Sequence, residues 1–194
     1  GINIWEVIEA AKTKPYGFQA FYPGPGLGGH CIPLDPFYLT WKAREYDYHT
    51  RLIETSGEIN TAMPEYVVDR CSRILNRKRK PLSGSKILIC GVAYKADIDD
   101  YRESPTLKII DIFEKQGSIV TAYDPYISEY KYKNKTHKCI TEVTAEDIKS
   151  YDLVVITTNH KSFDYEMLNE NANVLFDTRN AMKEIKDRSK IELL

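Results

Sequence analysis

Apolar and polar residues change rhythm once along this chain, near residue 85. Before that point the apolar positions keep helical spacing. Ile4, Val7, Ile8 and Ala11 mark a short amphipathic helix over residues 1–13, with Asn3 placed to cap it. A second helix is predicted over Phe37 to Glu45, opened by Asp35 as N-cap and Pro36 as first helical residue, and broken at Asp47 to Thr50. A third, long helix is predicted over residues 51–80. Leu52, Ile53, Ile59, Met63, Val67, Cys71, Ile74 and Leu75 form its apolar stripe. Gly57 and Pro64 fall inside it, so a kink at Pro64 and a division into two helices are both compatible with the pattern.

Ser83-Gly84-Ser85 reads as a hinge, and short apolar runs follow it. Ile87–Val92, Ile119–Tyr123, Leu153–Thr157 and Val174–Asp177 are predicted strands. Ser104-Pro105 opens a helix that Gly117 closes, and shorter helices are predicted at residues 144–149 and 163–169. Residues 128–140 read as a basic, polar loop. Strands that are almost wholly apolar, alternating with helices, argue a parallel sheet covered on both faces. The fold class is therefore α/β: a helical segment with a long helix (residues 1–82) followed by a Rossmann-like domain with a mainly parallel sheet (residues 83–194).

Composition narrows the function classes. The 194 residues carry a net charge of −1, so no long-range field points to nucleic acid or an anionic membrane. No apolar run approaches the ~20 residues needed to span a bilayer. Gly1-Ile-Asn-Ile-Trp has neither the basic nor the apolar region of a secretory signal. The first helix opens with no lead-in, which suggests that something upstream is missing. Cys31, Cys71, Cys90 and Cys139 are widely spaced and form no CxxC pair, which argues against a disulfide framework or a structural zinc site and for a reducing cytoplasm. The run Arg77-Lys78-Arg79-Lys80 resembles a nucleic-acid patch, but the neutral net charge favours reading it as solvated cations at a helix C-terminus.

The densest stretch is residues 21–36, with four glycines and four prolines in sixteen positions. It reads as a long shaped loop. Gly24-Pro-Gly26-Leu-Gly28-Gly29 matches G-x-G-x-x-G as a string, but no strand leads into it and no helix starts at its third glycine, so it is not a dinucleotide fingerprint. A lone cysteine more often packs than reacts. The glycine context and a position about one turn before a helix start at Asp35 make Cys31 the candidate nucleophile, because a helix N-terminus favours a thiolate. His30 is either a base for Cys31 or a structural or substrate contact. Asp35 is accounted for as an N-cap, and a second role is open. Cys71 and Cys90 read as core, and Cys139 as inert.

A second dense stretch, Gly91 to Pro105, follows the first strand at the edge where open α/β sheets bind ligands. Lys95 and Arg102 stand there beside a helix start and suit phosphate, unless Asp97, Asp99 and Asp100 simply pair with them. Only one glycine is present, so a nucleotide would not bind in the usual dinucleotide mode. Arg179, after the last strand, either faces the same crevice as a third cation or forms an exposed salt bridge.

Together, G-x-G-L-G-G-H-C-I-P-L-D-P-x-Y-L, G-V-A-Y-K-x-D-x-D-D-x-R-E-S-P and F-D-T-R, in this order and spacing, resemble the UDP-glucose/GDP-mannose dehydrogenase family, most closely the branch acting on UDP-N-acetyl sugars. The resemblance covers essentially the whole chain. It implies oxidation of a sugar C6 alcohol to the carboxylate with two NAD+, in polysaccharide biosynthesis. It implies Cys31 as the nucleophile that passes through a thiohemiacetal and a thioester, and Asp35 as the group that positions or activates water. Phe21, Tyr22, Gly28 and Gly29 would cradle the substrate. Tyr94, Lys95 and Arg179 would grip sugar and diphosphate, and Arg102 would reach the cofactor pyrophosphate. The long helix would form a homodimer. The family's N-terminal NAD domain, and the catalytic lysine and asparagine of its central helices, have no counterpart here, so the resemblance implies a fragment inactive alone. Two other readings are a non-catalytic nucleotide-sugar-binding and dimerisation module, and a thiol hydrolase using Cys31 and His30, for which no third orienting group is evident.

Overall fold

The computed structural model describes residues 1–194. Three helices come first: α1 (Ile4–Ala11), α2 (Cys31–Arg44) and α3 (Arg51–Arg77). Asn3 caps α1 by accepting the Trp5 N–H, as the sequence predicts. Its buried face is Trp5 and Ile8, whereas Ile4 and Val7 of the expected stripe stay exposed, because α1 seals against Tyr22 rather than against the sheet.

The second helix differs from expectation. It starts at Cys31 behind His30, not at Asp35, and Asp35 is no N-cap. Pro33 falls in the first turn, where a backbone donor has no partner in any case. Only Pro36 removes an internal hydrogen bond, and the helix runs through it.

The third helix is one continuous rod of 27 residues with Pro64 inside it. Its stripe is buried only in the C-terminal half, at Val67, Val68, Cys71, Ile74 and Leu75. In the other half Leu52 and Ile59 are 86% and 62% exposed. Gly57 lets α2 cross closely: a Cβ there would meet the Phe37 ring at 2.4 Å. The helix-end cations are tied to the sheet, Arg77 to Glu192 and Lys80 to Asp152. Ser83 to Ser85 form a pinned turn instead of a hinge. Gly84 N–H donates to Gly117 O at 2.8 Å, and the Ser85 hydroxyl to Pro81 O.

The second half alternates β1 (Lys86–Cys90), α4 (Pro105–Lys115), β2 (Ile119–Tyr123), a hairpin of β3 (Glu129–Tyr132) and β4 (Lys135–Lys138), α5 (Ala145–Lys149), β5 (Leu153–Ile156), α6 (Tyr165–Asn171), β6 (Leu175–Asp177) and β7 (Ile191–Leu193). The five main strands are all parallel, in the order β2-β1-β5-β6-β7. Alternate side chains of each strand enter opposite cores. Ile87, Ile89, Leu153, Val155 and Phe176 pack with α3 and α4, and Leu88, Cys90, Val154, Ile156 and Leu175 pack with α5 and α6. The predicted basic loop at 128–140 is the antiparallel β3–β4 hairpin. Lys133 and Asn134 both hold positive φ at its two-residue turn, the conformation that suits the strands' twist. Strand order reverses between β1 and β5, so the loops after those strands meet at a switch point, the usual ligand position in an open α/β sheet.

Candidate functional site

The glycine loop lies against the C-terminal edge of the sheet, and its glycines explain how. A Cβ on Gly28 would meet Tyr94 Cβ at 2.6 Å and Glu103 O at 2.7 Å. On Gly29 (φ +87°) it would meet the Tyr94 ring at 2.9 Å, and on Gly26 (φ +129°) Pro105 Cβ at 3.0 Å. Gly24 passes over Arg179, whose Nη1 would lie 2.5 Å from such a Cβ. Two hydrogen bonds fix the loop: Gly29 N–H to Arg102 O at 3.1 Å, and Leu27 N–H to Asn60 Oδ1 on α3 at 2.8 Å. The loop is thus clamped between α3 and the Gly91–Pro105 stretch.

Cys31 emerges from this clamp as the first residue of α2, and no side chain caps that helix. It is exposed, whereas Cys71, Cys90 and Cys139 are buried. Burial pushes all three upward, Cys139 to about 12, which leaves them as inert thiols. Asp35 follows four residues later, hence on the same face of α2 as Cys31 and also exposed. His30 is exposed, and its side chain makes no capping hydrogen bond to α2.

The expected cations divide between two cavities. Arg179 lines one of about 660 Å³ at the ends of β5 and β6, with Trp5, Tyr22, Asn159, Lys161 and Asn180. Its Nε donates to Thr157 O at 2.9 Å, it has no carboxylate partner, and burial lowers its pKa. Arg179 is therefore a half-buried cation rather than an exposed ion-pair residue. Tyr22 stacks on Trp5 at 6.0 Å and donates its hydroxyl to Glu9 at 3.0 Å. Trp5 Nε1 is buried with no acceptor. Arg102 instead lines a cleft of about 500 Å³ bounded by Gly26, Asn60, Ser104 and Lys131. It grips Asp100 with both Nε and Nη2, the pairing that the neighbouring acids suggested. Lys95 is exposed and lines neither cavity, so the three cations do not share one crevice. Phe21 is 73% exposed beside Tyr22.

Sequence reasoning missed a buried polar cluster at the switch point. His160 and Asp124 are fully buried, and His160 Nε2 lies 3.1 Å from Asp124 Oδ2. Val92 and Ala93 N–H donate to the same Oδ2 at 2.7 and 3.0 Å, and Tyr126 N–H to Oδ1. Burial alone would raise this carboxyl, but the His160 contact and the backbone donors outweigh it and hold it below its ordinary value. The two N–H groups that follow β1 are thereby used internally. With a single glycine in that turn and α4 opening only at Pro105, these residues do not form a dinucleotide cradle. Nothing about His160 in the sequence marks it, since its partner lies 36 residues away.

The family model for the central domain of UDP-glucose/GDP-mannose dehydrogenases matches residues 1–62, and that for the family's UDP-binding domain matches residues 88–184. A UDP-N-acetyl-D-mannosamine dehydrogenase of Methanocaldococcus jannaschii is 33% identical over 190 residues, covering 94% of this chain and 40% of that protein. An NDP-N-acetyl-D-galactosaminuronic acid dehydrogenase of Ralstonia solanacearum is 35% identical over 184 residues, covering 92% and 40%. The solved UDP-D-ManNAc dehydrogenase of Pyrococcus horikoshii superposes with a TM-score of 0.82 at 30% identity, over 100% of this chain and 44% of that one. The chain thus spans about two-fifths of the curated relatives it matches. The cysteine loop, its seat on a five-stranded parallel sheet and both family matches lead to one conclusion: this chain belongs to the UDP-glucose/GDP-mannose dehydrogenase family.

Proposed function

We propose that this chain is the cysteine-bearing, nucleotide-sugar-binding part of a cytoplasmic NAD-dependent 6-dehydrogenase acting on a UDP-N-acetylhexosamine. The observation that carries the reading is the glycine loop. It sets the one exposed cysteine at a helix start and docks on the sheet edge beside Tyr94 and Arg179. Residues 1–82 would form the end of the central domain and 83–194 the UDP-sugar domain. Homodimerisation would cover the exposed half of α3.

The overall reaction moves two hydrides from C6 to two NAD+. Both cofactors would be held mainly by a domain other than the two matched here, because the turn after β1 offers no dinucleotide cradle. Cys31 Sγ bonds to the aldehyde carbon while the carbonyl oxygen takes up a proton, giving a thiohemiacetal. Loss of the hydroxyl proton and of a second hydride from that carbon, which the second NAD+ would accept, would give a thioester on Cys31. Water adds and the C–S bond breaks, yielding the carboxylate and the free thiol. Asp35, one turn along the same helix face, orients that water. Arg179 would meet the diphosphate in the cavity it lines and Lys95 would meet it from outside that cavity, Tyr94 with Phe21, Tyr22, Gly28 and Gly29 would shape the sugar pocket, and Arg102 would reach a cofactor phosphate across its own cleft.

Two measurements test this. Calorimetry of the chain with UDP is expected to show binding that Arg179→Ala weakens at least tenfold. In the protein extended by its NAD-binding half, Cys31→Ser is expected to abolish NADH formation from the UDP-sugar. Normal NADH formation by that variant overturns the assignment of Cys31.

A further inference from the structure

We propose that His160 is the positioning residue of the loop that carries Tyr94 and Lys95, and that it acts by accepting the Asp97 N–H. The donor and acceptor roles are set by the partners. Asp97 N–H points at His160 Nδ1 from 3.0 Å, so that nitrogen carries the lone pair, and the proton sits on Nε2, donated to Asp124. The ring is held on its other sides by Tyr126, with centroids 5.0 Å apart, and by the edge-on ring of Phe163 at 5.1 Å.

Asp97 needs such a partner. Its φ is +63°, a conformation uncommon outside glycine and sustained only where surrounding contacts impose it. Two reciprocal hydrogen bonds impose it here: Asp97 N–H to His160 Nδ1, and Lys161 N–H to Asp97 Oδ1 at 2.8 Å. The segment after β5 grips the segment after β1 further through Thr157 Oγ1 to Gly91 O and Thr158 Oγ1 to Ala93 O, both at 2.6 Å, and through the Lys161–Asp97 ion pair at 3.6 Å. Tyr94 N–H to Asp100 O closes the loop upon itself at 3.0 Å. Within this lattice the Thr157 and Thr158 bonds fix the loop's base. His160, with Lys161 beside it, fixes its far side, two residues past the exposed Lys95. An apolar residue could fill the same volume, but none could accept that N–H.

The ligand-binding half of this inference rests on the assignment of Tyr94 and Lys95 to the nucleotide sugar, and the test separates the two. His160→Asn keeps an acceptor at the δ position but cannot reach Asp124. His160→Gln keeps a donor at the ε position but has no acceptor at the δ position for the Asp97 N–H. Positioning predicts that His160→Gln speeds amide exchange at Asp97 about tenfold or more, which corresponds to ~1.4 kcal/mol, the size of one hydrogen bond. His160→Asn stays within about threefold of the parent chain. UDP affinity follows the same order, and Lys95→Ala costs less in the Gln variant than in the parent. Unchanged Asp97 exchange in His160→Gln, or faster exchange in His160→Asn than in His160→Gln, overturns the proposal and leaves His160 as a partner of Asp124 alone. If the parent chain binds no UDP, the nucleotide-sugar reading fails and the exchange comparison still decides whether His160 holds the loop.

Discussion

Gly28→Ala isolates the docking of the cysteine loop from every other property of the chain. Gly28 has no positive φ, so an added methyl meets no backbone strain of its own. It meets atoms: Tyr94 Cβ at 2.6 Å and Glu103 O at 2.7 Å, both part of or next to the main chain and unable to swing away. Relief requires the loop to lift, which also breaks the bond from Gly29 N–H to Arg102 O. Overpacking of this kind costs about 1–3 kcal/mol and a lost internal hydrogen bond about 1 kcal/mol. A net loss of about 2–4 kcal/mol lowers the melting temperature of a chain this size by roughly 4–16 °C. Gly24→Ala is the control, because its clash falls on Arg179 Nη1, the end of a side chain rather than main chain. The assay is urea and thermal unfolding of both variants, alongside the rate at which a thiol reagent modifies Cys31. Gly28→Ala is expected to lose stability and change that rate, with Gly24→Ala near the parent in both. Equal stability of the two variants, with an unchanged Cys31 rate, refutes the docking argument.

Thiol chemistry and acid titration give two further checks. A thiol reagent near pH 8 is expected to titrate one cysteine in the native chain and four after denaturation, and a second fast thiol contradicts the burial of the others. The depressed carboxyl of Asp124 contributes stability that is complete above the ordinary carboxylate range, near pH 4, and is lost as the pH falls toward its folded value. Asp124→Asn is therefore expected to flatten the acid limb of the unfolding curve while lowering stability at neutral pH by about 1–3 kcal/mol, the cost of leaving buried donors underpaired. An acid limb as steep as the parent's assigns the effect to other carboxylates.

Much of the fold was legible because its signals are local. Ser104-Pro105 and Asn3 cap helices through bonds to their own first turns, and the strands of a sheet buried on both faces are plain apolar runs. Three misses have a common cause, which is that the deciding partner lies far away in sequence. Asp35-Pro36 looks like a helix start, yet the chain turns helical at Cys31, directly after Gly29 is anchored to Arg102. β7 is three residues long and exists only by pairing with β6. His160 is unremarkable until the fold brings Asp97 and Asp124 to its two nitrogens. The hairpin is different. Tyr130 and Tyr132 alternate with lysines at a strand's period, with Asn134 at the turn, so the pattern was present and the charge obscured it.

The half-and-half burial of α3 has a practical consequence for dissection. A shortened polypeptide beginning at residue 83 retains every strand of the sheet but loses Val67, Val68, Cys71, Ile74 and Leu75, all buried in the same core as Ile87 and Phe176. At about 1.5–3 kcal/mol per large apolar side chain, that removes on the order of 10 kcal/mol, comparable with the whole stability of a typical domain. A soluble sheet module therefore has to start upstream of Val67 and carry with it the last turns of the helix that also bears the cysteine loop's anchor, Asn60.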